Sequence, residues 1–332
     1  MPTNVPPQYR DAEERFRQAG TTQAKIAALQ EMLAIMPKHK GTDHLKAQLR
    51  SRLSKLTAEL EGAAAGRSGG RTEPFSLPKE GGGRATLVGP TNVGKSLLLV
   101  RATGAKAKVG AYALSTQEPV PGMLPYKDLR IQLVDTPPIS NPGTQSRLYG
   151  LLRSTDVFVV VADLAMDAVA QTREVFSALE EWGFRMLAAD EVAEDPWKDK
   201  STILAGNKAD IPGALDQFQV LEETFGDRYP VLMLSAEENV GLDELGEEVF
   251  RALKVMRVYT KSPREKIEAF ERTDPVVLSV GSTVADAASQ IHRELGRDLK
   301  YAVLWGESGK FEGQRVGRQH KLIDGDIVEL HG

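Results

Sequence analysis

The chain has no cysteine, which excludes disulfide bridges and thiolate metal ligands from any account of it. Aromatic residues make up only 6% of its 332 residues, so aliphatic side chains must build most of any core. No apolar run approaches the roughly 20 residues that cross a bilayer, and Met1–Arg10 has no apolar signal core. The lack of thiol chemistry suits a reducing compartment. A cytoplasmic protein with no membrane partner is therefore expected. Neither sign of charge dominates, with 42 Lys and Arg against 46 Asp and Glu. What remains is an ordinary globular composition, long enough for two or three domains.

The charge is unevenly spread. Residues 1–72 carry 12 Lys and Arg against 7 Asp and Glu, residues 73–257 carry 19 against 27, and residues 258–332 carry 11 against 12. A basic head on an acidic body suits an anionic partner such as nucleic acid, although a solvated charged helix explains it equally well. Within the head, Ile26, Leu29, Leu33 and Met36 recur at three- and four-residue steps, as do Leu45, Leu49, Leu53, Leu56 and Leu60. Pro37 and Gly41 break the pattern between them, so residues 1–61 are expected to form a helical hairpin. Lys38 and Lys40 lie at its turn, and Lys46 and Arg50 lie four apart on the second helix. Residues 62–83, rich in Gly, Ser and Pro, read as a flexible linker. From 84 to 257 short apolar strands (Ala85–Val88, Arg130–Val134, Val157–Ala162, Ser201–Ala205, Val231–Leu234) alternate with helical patterns, the last at Leu242–Val255. That alternation predicts a doubly wound, mainly parallel α/β sheet. Residues 258–332 read as a small α+β module with strands at Val276–Val280, Tyr301–Leu304 and Ile327–Leu330 around a helix at Val284–Leu295.

Chemistry concentrates in the middle domain. Gly89-Pro90-Thr91-Asn92-Val93-Gly94-Lys95-Ser96 follows a strand and opens a helix, the setting a phosphate loop requires. Its glycines let backbone N–H groups close on phosphate oxygens, and the helix N-terminus adds positive potential. Gly89, Thr91, Asn92, Val93, Gly94, Lys95, Ser96 and Leu97 form the expected phosphate-binding set, with Lys95 on the β- and γ-phosphates and Ser96 on Mg²⁺. Asn207-Lys208-Ala209-Asp210 follows a later strand. Guanine presents two adjacent donors, N1–H and the exocyclic amine, and one carboxylate accepts both, so Asp210 selects guanine over adenine. Ser235-Ala236-Glu237, after the next strand, is a backbone loop placed to contact the base. Asp135, at the end of Arg130–Val134, can hold a water on Mg²⁺. Thr116, in the loop 111–122, is a candidate Mg²⁺ ligand in the presence of a γ-phosphate, or an ordinary loop hydroxyl.

These motifs in this order resemble the translation-factor-related GTPases, and the flanking segments resemble the Obg/DRG-like, developmentally regulated GTP-binding branch. MPKHKGTDHLKAQLRSRLSKLTAEL is similar to that branch's N-terminal helical region, and AYALSTQEPVPGMLPYKDLRIQLVDTPPI to its switch region and second nucleotide motif. Residues 258–332, with VGSTVADAASQIH and GDIVELHG, resemble the TGS domain, a β-grasp-like module that implies RNA contact. The resemblance implies a P-loop NTPase G domain binding GTP and GDP with Mg²⁺, hydrolysing GTP slowly, near ribosomes or structured RNA. Where that family often carries an inserted domain, this chain has only Ala188–Lys200, so it resembles a reduced relative.

Two departures bear on catalysis. The family pattern after the Mg²⁺-water Asp is commonly Pro-Gly, whose glycine N–H senses the γ-phosphate. Here it is Pro137-Pro138, and proline has no N–H. Ile139 stands where many GTPases place a water-orienting glutamine. In related GTPases with a hydrophobic residue there, a phosphate-loop asparagine holds K⁺, and Asn92 matches it. Lys95, Thr116 and Asn92 are thus the expected catalytic set, with a partner completing the site. The rival expectation is a non-hydrolysing GTP-binding scaffold. An ATPase is disfavoured by Asp210.

Overall fold

The computed structural model describes residues 75–104, 118–139, 145–263 and 265–332, together with Arg15, Phe16, Ala28, Leu29 and Met32. Thr116, Lys38, Lys40, Lys46 and Arg50 lie outside the described residues. The chain divides into two compact units, Met1–Glu73 and Pro74–Gly332. In the first, the described residues are helical, and Ala28, Leu29 and Met32 are buried.

The second unit holds two sheets. The larger begins with β1 (Arg84–Val88), α1 (Lys95–Thr103), β2 (Val120–Tyr126), β3 (Leu129–Asp135), α2 (Gln145–Arg153) and β4 (Val157–Asp163). It continues with α3 (Ala168–Glu181), β5 (Arg185–Leu187), β6 (Asp199–Asn207), α4 (Ala214–Phe225), β7 (Val231–Met233) and α5 (Leu242–Ala252). Its order is β2-β3-β1-β4-β6-β5, with β7 also paired to β6. Every pairing is parallel except β2 with β3. Apolar runs make this possible, because a strand covered on both faces needs an apolar side chain at every position. In β4 all seven residues are buried. Val157, Val159 and Val161 join Leu98, Leu99, Leu245 and Val249 beneath α1 and α5. Phe158 and Val160 join Leu148, Leu151, Val175 and Leu179 beneath α2 and α3.

Sequence periodicity missed β2, because Pro121 and Pro125 obscure it. Proline cannot donate to a ladder, and β2 sits at the sheet edge, where that costs least. Composition also overextended the linker. From Phe75 onward the chain is packed into the fold: Arg84 Nη2 donates to Leu77 O at 2.6 Å, Gln132 Nε2 to Pro78 O at 2.9 Å, and Gly82 N to Arg130 O at 2.9 Å. A Cβ on Gly81 would fall 2.1 Å from Arg130 O, so this glycine allows close approach rather than free motion.

The C-terminal sheet starts earlier than expected. The helix read as Leu242–Val255 stops at Ala252, and β8 (Val255–Thr260) follows at once. Then come β9 (Val276–Ser279), α6 (Val284–Ile291), α7 (Arg293–Asp298), β10 (Tyr301–Trp305), β11 (Gln314–Val316) and β12 (Ile327–His331), in sheet order β11-β10-β12-β8-β9. Thr283 and Asp286 form a reciprocal capping box that starts α6. The expected single helix Val284–Leu295 is two, broken at His292, whose backbone is extended. The break lets α7 pack back on α6 so closely that a Cβ on Gly296 would lie 2.1 Å from Ser289 Oγ.

Candidate functional site

The loop between β1 and α1 is shaped by its glycines. A Cβ on Gly89 would lie 2.4 Å from Val161 O, and one on Gly94 would lie 2.3 Å from Asn207 Nδ2. Gly94 has φ 92° and Asn92 φ 62°, both left-handed. This arrangement turns the chain straight into α1, whose N-cap is Gly94, so no side chain competes there for its first N–H groups. Val93 is buried, while Thr91 and Asn92 are exposed beside it. Leu97 packs on the core beneath.

Lys95 is buried and lies along this loop, its Nζ donating to Gly89 O at 3.0 Å and Pro90 O at 2.6 Å. Burial pushes its pKa down to about 8, with the nearby Asp135 carboxylate acting in the opposite direction. Parallel pairing of β1 with β3 sets Leu87 beside Asp135. Ser96 Oγ donates to Asp135 Oδ2 at 2.6 Å. A hydroxyl and a carboxylate so close to a phosphate loop form the oxygen donor set that suits a hard cation such as Mg²⁺. Just beyond, Thr136 Oγ1 donates to Leu87 O at 2.7 Å. Ile139 is only 5% exposed and packs with Phe75, Leu148 and Leu151, so it is a core residue with nothing to offer a reacting water.

The guanine-reading candidates assemble at the ends of β6 and β7. The buried amide of Asn207 donates through Nδ2 to Val93 O at 2.8 Å and accepts through Oδ1 from Ala236 N at 3.0 Å. One side chain thereby joins the phosphate loop, its own loop and the Ser235–Glu237 loop. Ala209 N donates to Leu234 O at 2.9 Å. Ser235 Oγ donates to Asp210 Oδ1 at 2.5 Å and accepts from Glu238 N at 3.1 Å, which fixes the carboxylate's direction. Glu237 is exposed at the rim.

Sequence reasoning overlooked Asp163, which ends β4 and whose Oδ2 accepts from Lys208 Nζ at 2.5 Å. Its signal was available, a carboxylate closing an apolar strand as Asp135 does. Its partner becomes evident only when β4 and β6 pair, with Asp163 opposite Asn207.

Two family profiles match the chain: the 50S ribosome-binding GTPase family over residues 84–208 and the TGS domain over residues 256–331. Across 93% of its length the chain is 28% identical to developmentally-regulated GTP-binding protein 1 of Xenopus laevis, covering 98% of that protein. It is 29% identical to an uncharacterized GTP-binding protein of Methanocaldococcus jannaschii, over 92% of each chain. Developmentally-regulated G-protein 3 of Arabidopsis thaliana is 28% identical over 93% of this chain and 98% of its own. The Xenopus alignment runs over 365 positions, more than this chain's 332 residues, so that relative contains segments this chain lacks. The crystal structure of a GTP binding protein from Pyrococcus horikoshii superposes with a TM-score of 0.52, over 75% of this chain and 99% of that one. At 18% identity it speaks for the fold alone.

Proposed function

We propose that this chain, which matches the 50S ribosome-binding GTPase and TGS profiles and is similar to the developmentally regulated GTP-binding proteins, is a guanine-nucleotide switch that engages the ribosome or structured RNA and hydrolyses GTP slowly. The observation that carries the nucleotide half is the Asn207 amide, which ties Val93 of the phosphate loop to Ala236 of the base loop. A phosphate-binding loop and a base-reading carboxylate held in one hydrogen-bonded frame suit a nucleotide better than a free phosphate. Ser96, with Asp135 acting through water, would hold Mg²⁺, which offsets phosphate charge. The ribosome or RNA half rests on the TGS match and on the basic cluster Lys38, Lys40, Lys46 and Arg50.

Slow turnover follows from Pro138 and Ile139. Pro138 has no N–H to offer a γ-phosphate, and the aliphatic side chain of Ile139, committed to the core, cannot orient a water. Any acceleration falls to Lys95, to Thr116, to a cation such as K⁺ at Asn92, and to a bound partner. The same two residues favour a second reading, a GTP-binding scaffold that does not hydrolyse. Single-turnover phosphate release in Na⁺ and in K⁺, with and without ribosomes, separates the two. Release that K⁺ or ribosomes accelerate, with the gain lost in Asn92→Ala or the Lys38, Lys40, Lys46, Arg50→Gln variant respectively, supports the switch. No release under any condition supports the scaffold.

A further inference from the structure

A base-reading carboxylate can work only if no cation of its own protein neutralises it. Here Asp210 has a lysine two residues before it. Lys208 has φ 69°, a left-handed backbone unusual for lysine, and its ammonium is paired with Asp163 at 2.5 Å instead. That partner is firmly built. The Asp163 side chain is 8% exposed, and its second oxygen accepts from Ala165 N at 2.9 Å. Its backbone is clamped by one amide of α3: Asp163 N donates to Gln171 Oε1 at 3.0 Å, and Gln171 Nε2 donates to Asp163 O at 3.3 Å. Leu164 N donates to Asn207 O at 2.9 Å, which locks this turn to the base-reading loop.

We propose that Asp163, held by Gln171, is a positioning residue for guanine recognition: it draws the Lys208 ammonium away from Asp210 and leaves that carboxylate open to the two donors of the base. The proposal rests on the reading of Asp210 as the guanine acceptor. The geometry supports a division of labour between the carboxylates. Asp163 is turned to a cation and a backbone N–H, while Asp210 is turned by Ser235 Oγ, a neutral donor that leaves its charge in place. Ordering Lys208 in advance also removes part of the rotamer entropy that nucleotide binding would otherwise have to overcome.

A double-mutant cycle on the full chain tests this, with fluorescent GDP affinity read at low and high salt. Asp163→Asn is expected to weaken GDP binding about tenfold at low salt, because the freed lysine competes for Asp210, and less at high salt, where that competition is screened. In the Lys208→Met background the same substitution is expected to change affinity less than twofold, since no ammonium remains to be steered. An equal loss in both backgrounds, or a GDP affinity unchanged by Asp163→Asn, overturns the proposal. If Asp163→Asn does not fold, as judged by its thermal melt, the cycle is run with Gln171→Ala. That variant is expected to give a smaller loss that likewise vanishes with Lys208→Met, and a GDP affinity equal to the parent's overturns the proposal. Asp210→Asn serves as the separate control. Unchanged preference for GDP over xanthosine diphosphate in that variant rejects the reading of Asp210 itself, whatever the Asp163 cycle gives.

Discussion

At the scale of single residues, Lys95 is a buried ammonium in an environment far from water. Its pKa of about 8 comes chiefly from burial. Phosphate attracts the ammonium and not the amine, so GDP affinity is expected to be constant below pH 8 and to weaken as pH rises above it. The slope should approach tenfold for each further unit, about 1.4 kcal/mol. Isothermal titrations from pH 6.5 to 9 check this, with Lys95→Met as the reference that should bind weakly at every pH and show no such slope. A parent whose affinity stays flat to pH 9 would mean that Lys95 does not titrate in that range. Asp210→Asn should cost on the order of a hundredfold in GDP affinity and gain xanthosine diphosphate, whose C2 oxygen accepts from the new amide. Equal GDP binding by parent and variant counts against guanine selection by Asp210. Lys95 and Asp210 were legible in the sequence because each lies in a short contiguous motif. Asp163 was not, because its partnership with Lys208 spans 45 residues and depends on strand register, and Gln171 takes its role only through Asp163.

At the scale of elements, the parallel strands β1, β3, β4, β6 and β7 were legible from their apolar runs, while the three-residue β5 was too short to show. β2 was not legible, since its two prolines oppose strand propensity and only its edge position accommodates them. The glycines preceding β1 misled in a different way. Gly-rich composition reads as flexible, yet Gly81 at φ 67° lies against the Arg130 carbonyl. Gly81→Ala is therefore expected to destabilise by about 2 kcal/mol or more, combining left-handed strain with a contact that backbone cannot relieve. Gly104 provides the comparison. Its φ is 65°, with nothing among the described residues within 4 Å of a new Cβ. Gly104→Ala should then cost only the conformational part, about 1 kcal/mol. Denaturant midpoints with unchanged m-values measure both. A Gly81→Ala variant no less stable than Gly104→Ala would return residues 81–83 to the linker reading.

At the scale of the whole second unit, Arg257 is a well-satisfied cation that helps join the two sheets. Arg257 on β8 donates through Nη1 to Asp128 Oδ1 at 2.6 Å, in the turn between β2 and β3 of the larger sheet. Through Nη2 and Nε it grips Asp324, just before β12, at 2.7 and 3.0 Å, and its own backbone N donates to Asp324 Oδ1 at 2.7 Å. The Tyr259 hydroxyl also donates to Asp128. The guanidinium stacks near Phe250 of α5, which is itself stacked on Tyr126. The turn that Arg257 holds leads into β3, the strand that ends at Asp135, so this clamp links the C-terminal sheet to the strand that carries Asp135. Burial pushes the Asp128 and Asp324 carboxyls up, but hydrogen bonds from Tyr259 and Arg257 to Asp128, and from Arg257 to Asp324, outweigh it, and both end below the ordinary carboxylate range. A carboxylate whose folded pKa is depressed adds stability above its unfolded pKa of about 4, and that stability is lost as pH falls through the folded value. Arg257→Met removes the cation shared by two partly exposed carboxylates, at an expected cost of about 1.5–3 kcal/mol at neutral pH. Calorimetry should show the parent unfolding both sheets in one transition near pH 7 and the variant splitting into two. Between pH 4 and pH 2 the parent should lose stability steeply, whereas the variant, whose carboxyls are no longer held low, should lose less over the same range. A variant that melts in one transition at the parent's temperature, with the parent's acid profile, would show that Arg257 does not couple the sheets.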